Sequence, residues 1–339
     1  MVYVIVLNWN GAADTIACAQ SVLALEVTPF RLVICDNASA DDSVARLRNW
    51  ASGRVSESVP GRPHLLELPN EPNAWRHSIP AEGSVVLIQT GANLGFAGGN
   101  NVGIRYGLAR GDADFFWILN NDTTVAPNAL GALVAKARSD AGFGIVGSTL
   151  LYHYRPTHVQ VLGGCRFSAW TTRIAPVGWG KTAAEAAVTP ENEVESQLDY
   201  VTGASMLVSR AFIADVGLMH EDYFLYCEEI DWAERGRRST TRQWKLGYAR
   251  DSIVLHKVGA SANTGASKTS TRYFYASKIR FMKRFHPART PVILLMVFLQ
   301  AIKRLFTGEP GHALVILSVV ANSGRITAPA TQSAAIDAN

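Results

Sequence analysis

The sequence predicts an α/β protein with a mostly parallel sheet flanked by helices, followed by a basic and apolar helical extension. Three observations support this prediction. Patterns of buried strands alternate with helical patterns from the N-terminus onward, as in βαβ units. Polar side chains directly follow several of these strands. Basic residues are concentrated late in the chain, where ten Lys or Arg and no Asp or Glu lie between Ser252 and Gly308.

The first elements form a βαβ unit. Val2–Leu7 is an apolar, largely β-branched run that ends at Asn8, and a helical pattern then continues through Leu25. A second buried strand, Arg31–Cys35, ends at Asp36. Parallel strands place their carboxyl ends at one edge of the sheet, where ligands bind in open α/β folds. We therefore expect the polar side chains of both strand ends to lie side by side.

The next segment contains a glycine-rich run. A helix over Ser43–Trp50 precedes a long, partly mobile loop or insertion over Ala51–Gly83, and Val85–Gln89 restores a strand. Gly91–Asn101 then leads into a helix over Val102–Ala109. Backbone N–H groups of such a run can approach an anion such as a diphosphate. An equally weighted alternative is a turn that only lets the helix pack closely.

Two nucleotide-binding motifs are absent from this part of the chain. The glycine-rich run does not match GxxxxGK[ST], so it is not a P-loop. No GxGxxG follows the first strand, which argues against a dinucleotide-binding fold.

The stretch Phe115–Asp122, FFWILNND, predicts a buried strand that delivers a polar cluster to its carboxyl end. Asn and Asp after a strand are most often turn formers, so this stretch alone is ambiguous. The elements expected after it are a helix over Ala129–Ser139, a strand over Gly144–Leu151, an irregular region over Tyr152–Val194 with a hairpin near His158–Leu162, a strand over Asp199–Val208, a short helix over Arg210–Gly217, and strands over Trp244–Ala249 and Ser252–Leu255.

Two further sites are chemically informative. Glu228, Glu229 and Asp231 are three carboxylates within four residues, next to several aromatic residues. First-turn acids of a helix are common, and taken alone that structural explanation is favoured about two to one over a general base. His256 follows the last strand, where a lone His is usually a turn residue. If it returns to Asp122, imidazole and carboxylate together can bind Mn²⁺ or a similar ion.

Composition excludes several classes of protein. The chain has 339 residues, of which 48% are hydrophobic, so global disorder is excluded. A formal charge of +4 is too small to indicate nucleic-acid binding. The four cysteines show no CxxC pairing, and neither a secretory signal nor a membrane-spanning run is expected. The sequence therefore predicts a cytoplasmic protein.

Taken together, the motifs resemble those of the inverting family 2 glycosyltransferases of the GT-A fold, and more narrowly those of rhamnosyltransferase-like bacterial members. The resemblance covers Val2 to His286. Because all the motifs occur in the family's order, the joint match outweighs the structural explanation of each one. The motifs are VIVLNWNG, VICDNASADDS, NLGFAGGNN, WILNNDTTV, VTGASMLVSR, FLYCEEIDWAERGRR and LHKVGAS.

The resemblance implies a role for each matched residue on the donor side. Asn8 and Asn10 are expected to line the nucleotide pocket, and Asp36 to hydrogen-bond a pyrimidine base. Further nucleotide-sugar-binding residues implied by the family motifs are Asn93, Gly95 and Gly98 beneath the ribose and sugar, Asn120 and Asn121 in the DxD position, and Lys257 near the phosphates. The loop that follows His256 is expected to fold over the donor.

The metal ligands and the base follow from the same resemblance, with two departures. Asp122 and His256 are expected to bind Mg²⁺ or Mn²⁺, but the first Asp of the DxD motif is Asn120 and lends no charge. The family's Glu-Asp pair falls on Glu228 and Glu229, so Glu229 is the preferred base. Because Asp is replaced by the longer Glu here, Glu228 and Asp231 stay open as alternatives.

The implied activity is metal-dependent transfer of a sugar, with inversion, to a cell-envelope glycan or a polyprenyl-linked acceptor. The donor is dTDP- or UDP-linked, with dTDP-rhamnose preferred. The alternatives are a sugar-1-phosphate nucleotidyltransferase, disfavoured because Asn8–Asp14 lacks the required glycine-rich loop with Arg, and a catalytically silent glycan-binding or assembly subunit. A homo-oligomeric state is left open.

The chain is predicted to have three parts, and the second, the C-terminal extension, has two interpretations. Residues 1–270 are predicted to form the glycosyltransferase domain, with a nucleotide-sugar half of about 1–125 and an acceptor half of about 126–270. Residues 271–327 are then a basic and apolar helical extension, and 328–339 a disordered tail. The extension either lies peripherally on the anionic inner face of the plasma membrane, which is favoured, or packs on the domain with solvated charges.

Overall fold

The computed structural model describes residues 1–26, 29–52, 65–77, 84–257 and 267–322. The elements within these ranges, in chain order, are β1 Val2–Asn8, α1 Ala12–Leu23, β2 Phe30–Asp36, α2 Ser43–Ser52, β3 Leu65–Pro69, α3 Pro72–His77, β4 Val85–Gln89, α4 Gly95–Arg110, β5 Phe115–Asn120, β6 Thr123–Val125, α5 Ala129–Ser139, β7 Phe143–Tyr152, β8 Arg155–Leu162, β9 Gly164–Phe167, β10 Ile174–Pro176, α6 Ala183–Val188, α7 Glu191–Glu195, β11 Tyr200–Val201, β12 Ser205–Ser209, α8 Arg210–Val216, α9 Glu228–Arg237, β13 Lys245–His256, α10 Lys268–Phe285, a 3-10 turn Pro287–Arg289, α11 Thr290–Phe306 and α12 Pro310–Ala321.

The main sheet combines a parallel half with a mixed half. Its strand order is β3-β4-β2-β1-β5-β12-β7-β13-β6, with β8 paired to β7. Strands β3, β4, β2, β1 and β5 are parallel to one another, whereas β12 is antiparallel to both β5 and β7, and β13 is parallel to β7. A second, three-stranded sheet has the order β10-β9-β11. The expected α/β architecture, with a mostly parallel sheet flanked by helices, is confirmed.

Helices cover both faces of the parallel half, which explains why its strands are continuous apolar runs. Val4 of β1 faces a core cluster that includes Cys18 of α1. Ile5, the next residue along β1, faces a second cluster that includes Ile104 of α4. Alternation of side chains along each strand thus fills two cores, one on each side of the sheet.

Strand register brings the polar strand ends together, as the sequence predicts. Asn8 pairs with Asp36 in the β1–β2 ladder, and Leu7 pairs with Asn120 in the β1–β5 ladder. On the far side of the sheet, His256 at the end of β13 pairs with Thr123 of β6. The ends of β1, β2, β5 and β13 therefore meet at one edge.

The structure corrects several element boundaries. Helix α4 begins at Gly95, so most of the glycine-rich run lies inside the helix rather than before it. The loop expected over Ala51–Gly83 contains β3 and α3. The region expected to be irregular, Tyr152–Val194, contains three strands and two helices within the described residues. Packing of neighbouring elements, which short sequence windows do not reveal, stabilises these short segments.

Two predicted strands also differ from the observed ones. The strand expected over Asp199–Val208 is broken between β11 and β12, and the strands expected near Trp244 and Ser252 form one long strand, β13. A register shift between Ala249 and Ile253 marks the place where the sequence pattern was interrupted.

The C-terminal segment is helical, as expected. Helices α10, α11 and α12 pack against one another at the end of the described chain. Among the described residues, no helix is both long and apolar enough to span a membrane. The tail expected over 328–339 lies outside the described residues, and so does the loop expected after His256, apart from its first residue, Lys257.

Candidate functional site

The ends of β1 and β2 are joined by a buried hydrogen-bond network. The side-chain amide of Asn8 donates to Asp36 Oδ1 at 2.7 Å, and its oxygen accepts from Thr15 Oγ1 at 2.6 Å. Ser39 donates to Asp36 through its backbone N–H at 3.0 Å and through its hydroxyl at 2.7 Å. Asn8 is fully buried and its amide is engaged within the chain, so it holds Asp36 and Thr15 in place. The contact of Asp36 with a base stays a prediction.

Two residues around this network face outward. Asn10 has a positive φ of 52° and its side-chain oxygen accepts from the backbone N–H of Ala40 at 2.8 Å. Trp9, between Asn8 and Asn10, is 56% exposed at the end of β1. An exposed indole at this edge offers a flat apolar surface on which a planar ring can stack. Sequence reasoning missed Trp9, although its place inside the VIVLNWNG motif was a usable signal.

The start of α4 is fixed by hydrogen bonds from the chain itself. Asn37 accepts from the N–H of Leu94 at 2.9 Å, and Asn93 accepts from the N–H of Gly95 at 3.0 Å. The N–H of Phe96 donates to the carbonyl of Phe224 at 2.8 Å. These three N–H groups are therefore already satisfied, and an anion is not needed to explain the glycines near them.

Close packing requires glycine at the start of α4. Gly95 has a φ of +71°, and a Cβ there would lie 2.1 Å from the Phe224 carbonyl oxygen. A Cβ at Gly98 would lie 2.7 Å from Cβ of Leu94. The alternative interpretation, a run that allows close packing, therefore has direct support. Roles of Asn93, Gly95 and Gly98 beneath a sugar stay predictions.

The polar trio after β5 lies at the centre of the sheet edge. Asn121 donates to Thr15 Oγ1 at 3.1 Å, which joins it to the Asn8 network. The backbone N–H of Asn120 donates to the carbonyl of Ala204 at 3.1 Å. Asp122 is half-buried at the start of the turn into β6. The trio thus links the Asn8 network with the segment before β12.

Asp122 and His256 meet as the sequence predicts. Asp122 Oδ1 lies 3.1 Å from His256 Nε2, and the two side chains are 14% and 10% exposed. The other ring nitrogen, Nδ1, lies 2.9 Å from the side-chain oxygen of Gln160 on β8. An amide oxygen accepts from Nδ1–H, which directs the Nε2 lone pair toward Asp122. In this arrangement the Nε2 lone pair and Asp122 Oδ1 are two acceptors that face each other at 3.1 Å, so either a proton or a cation must lie between them.

This geometry fits a divalent metal ion. Carboxylate and imidazole are suitable ligands for Mn²⁺, and Gln160 accepts a hydrogen bond from the other ring nitrogen of His256, as a neighbouring group usually does for a metal-binding His. Among the described residues no group of three or more His, Cys, Asp or Glu side chains could hold a metal. Remaining ligands would therefore come from a bound diphosphate and water, as is usual for Mg²⁺. Sequence reasoning missed Gln160, because alternation along β8 says nothing about its partner.

Lys257 follows the pair on the same side. Its backbone N–H donates to the carbonyl of Asp122 at 3.0 Å, and its ammonium group lies 2.6 Å from Asp14 in the first turn of α1. The hydrogen bond to Asp14 raises the pKa of Lys257, so it is cationic at neutral pH. Its expected contact with phosphates stays a prediction, and Asp14 is a further residue that sequence reasoning missed.

The structure separates the three carboxylates of the EEID cluster, which lie in the first turn of α9. Asp231 is fully buried, with Arg235 Nε at 2.7 Å and Arg284 Nη1 at 3.1 Å. It joins α9 to α10 as the shared partner of two guanidinium groups. A carboxylate held in this way is not available to an acceptor hydroxyl.

Glu228 is buried in a different manner. It is 2% exposed, and its Oε2 has no hydrogen-bond partner. Burial first, and then the charge of Glu229, raise the pKa of Glu228 well above the ordinary value of 4.5. Glu228 therefore keeps its proton more readily than an exposed glutamate does.

Glu229 is half-buried and faces the sheet edge. Its Oε1 accepts from the backbone N–H of Gly203 at 3.2 Å, and burial raises its pKa above 4.5. A Cβ at Gly203 would lie 2.7 Å from Glu229 Oε1 and 2.8 Å from Phe96, so only glycine leaves room for the carboxylate. Ala204 is the next residue after Gly203, and its carbonyl accepts from the backbone N–H of Asn120. Adjacent backbone groups therefore connect Glu229 with the polar trio. Of the three acids, its geometry best fits a general base.

Comparison with known proteins supports the same class of enzyme. No protein-family model matches the chain. The low-salt glycan biosynthesis hexosyltransferase Agl10 of Haloferax volcanii is 24% identical to the chain over 259 residues, which is 75% of this chain and 73% of Agl10.

Two solved structures share the fold. The mannosyltransferase PcManGT from Pyrobaculum calidifontis, in complex with GDP-Man and Mn²⁺, matches 94% of this chain and 75% of its own with a TM-score of 0.51 at 14% identity. GalNAc-T7, with UDP, GalNAc and Mn²⁺, matches 84% of this chain with a TM-score of 0.55 at 15% identity, and this chain spans only 47% of it. The sheet and its helices are thus those of the GT-A fold. Agl10 and this fold together support a glycosyltransferase enzyme.

The different environments of Asp231 and Glu229 predict different effects on stability. Asp231→Asn leaves Arg235 and Arg284 without their shared counter-charge, so we expect the free energy of unfolding to fall by about 3 kcal/mol. Glu229→Gln should leave it unchanged or raise it at neutral pH. The raised pKa of Glu229 means that the folded state favours the protonated form, so stability is lost as pH rises above the unfolded value.

Urea denaturation at neutral pH measures both changes. Asp251→Asn is the matched control, because Asp251 is an exposed partner of Arg250 at 3.6 Å, and it should change the free energy of unfolding by less than about 0.5 kcal/mol. Equal stability of the Asp231→Asn variant and the native protein would contradict the structural role of Asp231.

Proposed function

We propose that the protein is a metal-dependent, inverting glycosyltransferase that moves a sugar from a nucleoside diphosphate to a hydroxyl of a cell-envelope or polyprenyl-linked glycan. The observation that supports this most directly is the Asp122–His256 pair, 3.1 Å apart. The half-buried Glu229 accepts from Gly203, and the next residue, Ala204, bonds the backbone of Asn120 two positions before Asp122. A metal-ligand pair and a carboxylate of raised basicity are the two parts that this reaction requires.

The donor site proposed here lies over the ends of β1, β2 and β5. Asp36 and the exposed Trp9 provide a hydrogen-bonding group and a flat surface for a base, and Asn10 lies beside them. Ribose and sugar would then lie above the start of α4. The likeness of the motifs to rhamnosyltransferase-like enzymes favours dTDP-rhamnose over UDP-linked sugars. PcManGT and GalNAc-T7 are structures with GDP-Man and with UDP, which agrees with a nucleotide-sugar donor.

Asp122 and His256 would hold a divalent ion, which when bound would supply positive charge to the departing diphosphate. Mn²⁺ in both solved structures supports a divalent metal, and the choice between Mg²⁺ and Mn²⁺ is left open. Lys257, next to His256, adds a cation on the same side. Asn120 occupies the first position of the DxD motif, so it can hydrogen-bond ribose or water but contributes no charge.

Glu229 acts on the acceptor. An alcohol is a poor nucleophile, so its proton must be removed as its oxygen attacks the anomeric carbon. The new carbon–oxygen bond forms as the bond to the diphosphate breaks, and the proton passes to Glu229. The Gly203 N–H fixes one carboxylate oxygen and leaves the other for the acceptor. A single displacement of this kind inverts the anomeric carbon and forms no covalent enzyme intermediate.

The place of action follows from the acceptor. A polyprenyl-linked acceptor is embedded in a membrane, so we propose that the enzyme works peripherally at the inner face of the plasma membrane, with the C-terminal helices α10, α11 and α12 as the contacting part. The hexosyltransferase Agl10 belongs to a glycan biosynthesis route, which agrees with a glycan acceptor.

The proposed reaction predicts release of a nucleoside diphosphate that depends on both metal and acceptor. We expect such release when the protein is incubated with a panel of nucleotide sugars, Mn²⁺ or Mg²⁺ and a lipid-linked glycan, with the highest rate for dTDP-rhamnose. Coupled assay of the diphosphate, with NMR of the product anomer, measures the rate and the stereochemistry. Release of pyrophosphate would indicate a nucleotidyltransferase, and nucleotide binding without turnover would indicate a silent subunit; either result contradicts the proposal.

The raised pKa of Glu229 predicts a specific pH profile. The base must be ionised, so the transfer rate should fall as pH falls through a pKa above 4.5. Glu229→Gln should reduce transfer by about 10²-fold or more while donor affinity stays within about twofold. Glu234→Gln is a matched control on the same helix, because Glu234 binds Arg237 and Arg238 instead of facing the site. An active Glu229→Gln enzyme with an unchanged profile would exclude Glu229 as the base.

A further inference from the structure

Helix α11 has an apolar face that the described chain leaves uncovered. Val292, Leu295, Leu299 and Phe306 are between 49% and 87% exposed. They lie three, seven and fourteen positions after the first of them, which places all four within an arc of about 60° around the helix axis. Such a stripe normally faces a protein core.

The core-facing side of α11 is a different one. Ile293, Val297 and Ala301 are buried in the main core cluster. They lie on the opposite side of the helix from the exposed stripe. Packing against the described residues therefore explains the apolar side that contains Ile293, Val297 and Ala301. It does not explain the exposed stripe on the opposite side.

The neighbouring helix extends this apolar surface. Helix α12, PGHALVILSVVA, contains no charged residue, and its Leu314 is 64% exposed. Helices α11 and α12 pack closely against each other. We call the exposed stripe of α11 together with Leu314 the apolar face.

Basic residues border the apolar face. Between Lys268 and Asn322 the sequence has nine Lys or Arg and a single acid, Glu309, which pairs with Arg304. Lys303 is exposed in the last turn of α11, and Cε of Lys268 lies 2.7 Å from the Cβ position of Gly311 in the first turn of α12. Two exposed lysines, Lys303 and Lys268, therefore lie near the turn between the two helices.

An exposed tryptophan lies at the other end of α11. Trp170, in the connection between β9 and β10, is 64% exposed, and the guanidinium of Arg289 lies 4.2 Å from its ring centre. Arg289 directly precedes α11. Tryptophan and arginine both favour the region between lipid headgroups and acyl chains.

We infer that the apolar face docks on an anionic lipid bilayer, with α11 lying in the plane of the interface. Apolar side chains enter the acyl boundary, while Lys303, Lys268 and Arg289 contact anionic headgroups. A second copy of the chain fits less well as the occupant, because a symmetric interface would bring two equally basic surfaces together.

The docking deepens the peripheral membrane location that is part of the proposed function, and in that respect it rests on it. It does not depend on the sugar-transfer step, because it is argued only from the apolar face, its basic border and Trp170.

Vesicle co-sedimentation of the full chain tests the docking. The protein should sediment with vesicles of phosphatidylcholine and phosphatidylglycerol, and much less with phosphatidylcholine alone. Leu295→Gln combined with Leu299→Gln should lower the partition coefficient at least tenfold, and Lys303→Gln should lower it about fivefold in the anionic vesicles.

Matched controls replace residues of similar exposure elsewhere. Val188→Gln on α6, where Val188 is 77% exposed, and Arg46→Gln on α2 should leave vesicle binding unchanged. Two results would overturn the inference. One is vesicle binding by the Leu295→Gln/Leu299→Gln variant that equals binding by the native protein. The other is a native protein that binds no vesicles and forms a dimer in sedimentation velocity, which this variant converts to a monomer. Vesicle binding without any sugar transfer would count against the proposed function and leave the docking intact.

Discussion

The site depends on the register of one strand. Strand β13 pairs in parallel with β7 and antiparallel with the short β6, and this double pairing places His256 opposite Thr123. A shift of one residue would turn the imidazole to the other face of the sheet, because side chains alternate along a strand. The register therefore fixes the 3.1 Å approach of His256 to Asp122, and Gln160 from β8 then fixes the ring orientation.

Burial assigns different tasks to neighbouring acids. Asp231 has two guanidinium partners and joins α9 to α10, whereas Glu228 has a buried oxygen with no partner and a pKa well above 4.5. Glu229 keeps partial contact with solvent and a backbone donor in Gly203. Three carboxylates within one helical turn thus have different surroundings: Asp231 joins two helices, Glu228 is buried with a raised pKa, and Glu229 is the proposed proton acceptor.

The sequence predicted the parts of the structure that depend on local pattern. Buried strands such as Phe115–Asn120 and the meeting of polar strand ends follow from apolar runs and parallel topology. The role of Asp231 and the contact of Gln160 with His256 could not be predicted, because both depend on residues far apart in the chain. The early start of α4 at Gly95 was missed for a related reason: contacts with Phe224, rather than helix propensity, hold its first turn.

Binding of Mn²⁺ tests the central claim most directly, because it does not depend on the acceptor or on the identity of the sugar. Titration followed by electron paramagnetic resonance, with dTDP or UDP present, should show one bound Mn²⁺ per native chain. Asp122→Ala and His256→Ala should each weaken this binding at least about tenfold. Asp140→Ala, at an exposed partner of Lys245, should leave it unchanged. Equal Mn²⁺ affinity in the native protein and in both the Asp122→Ala and His256→Ala variants would contradict the account.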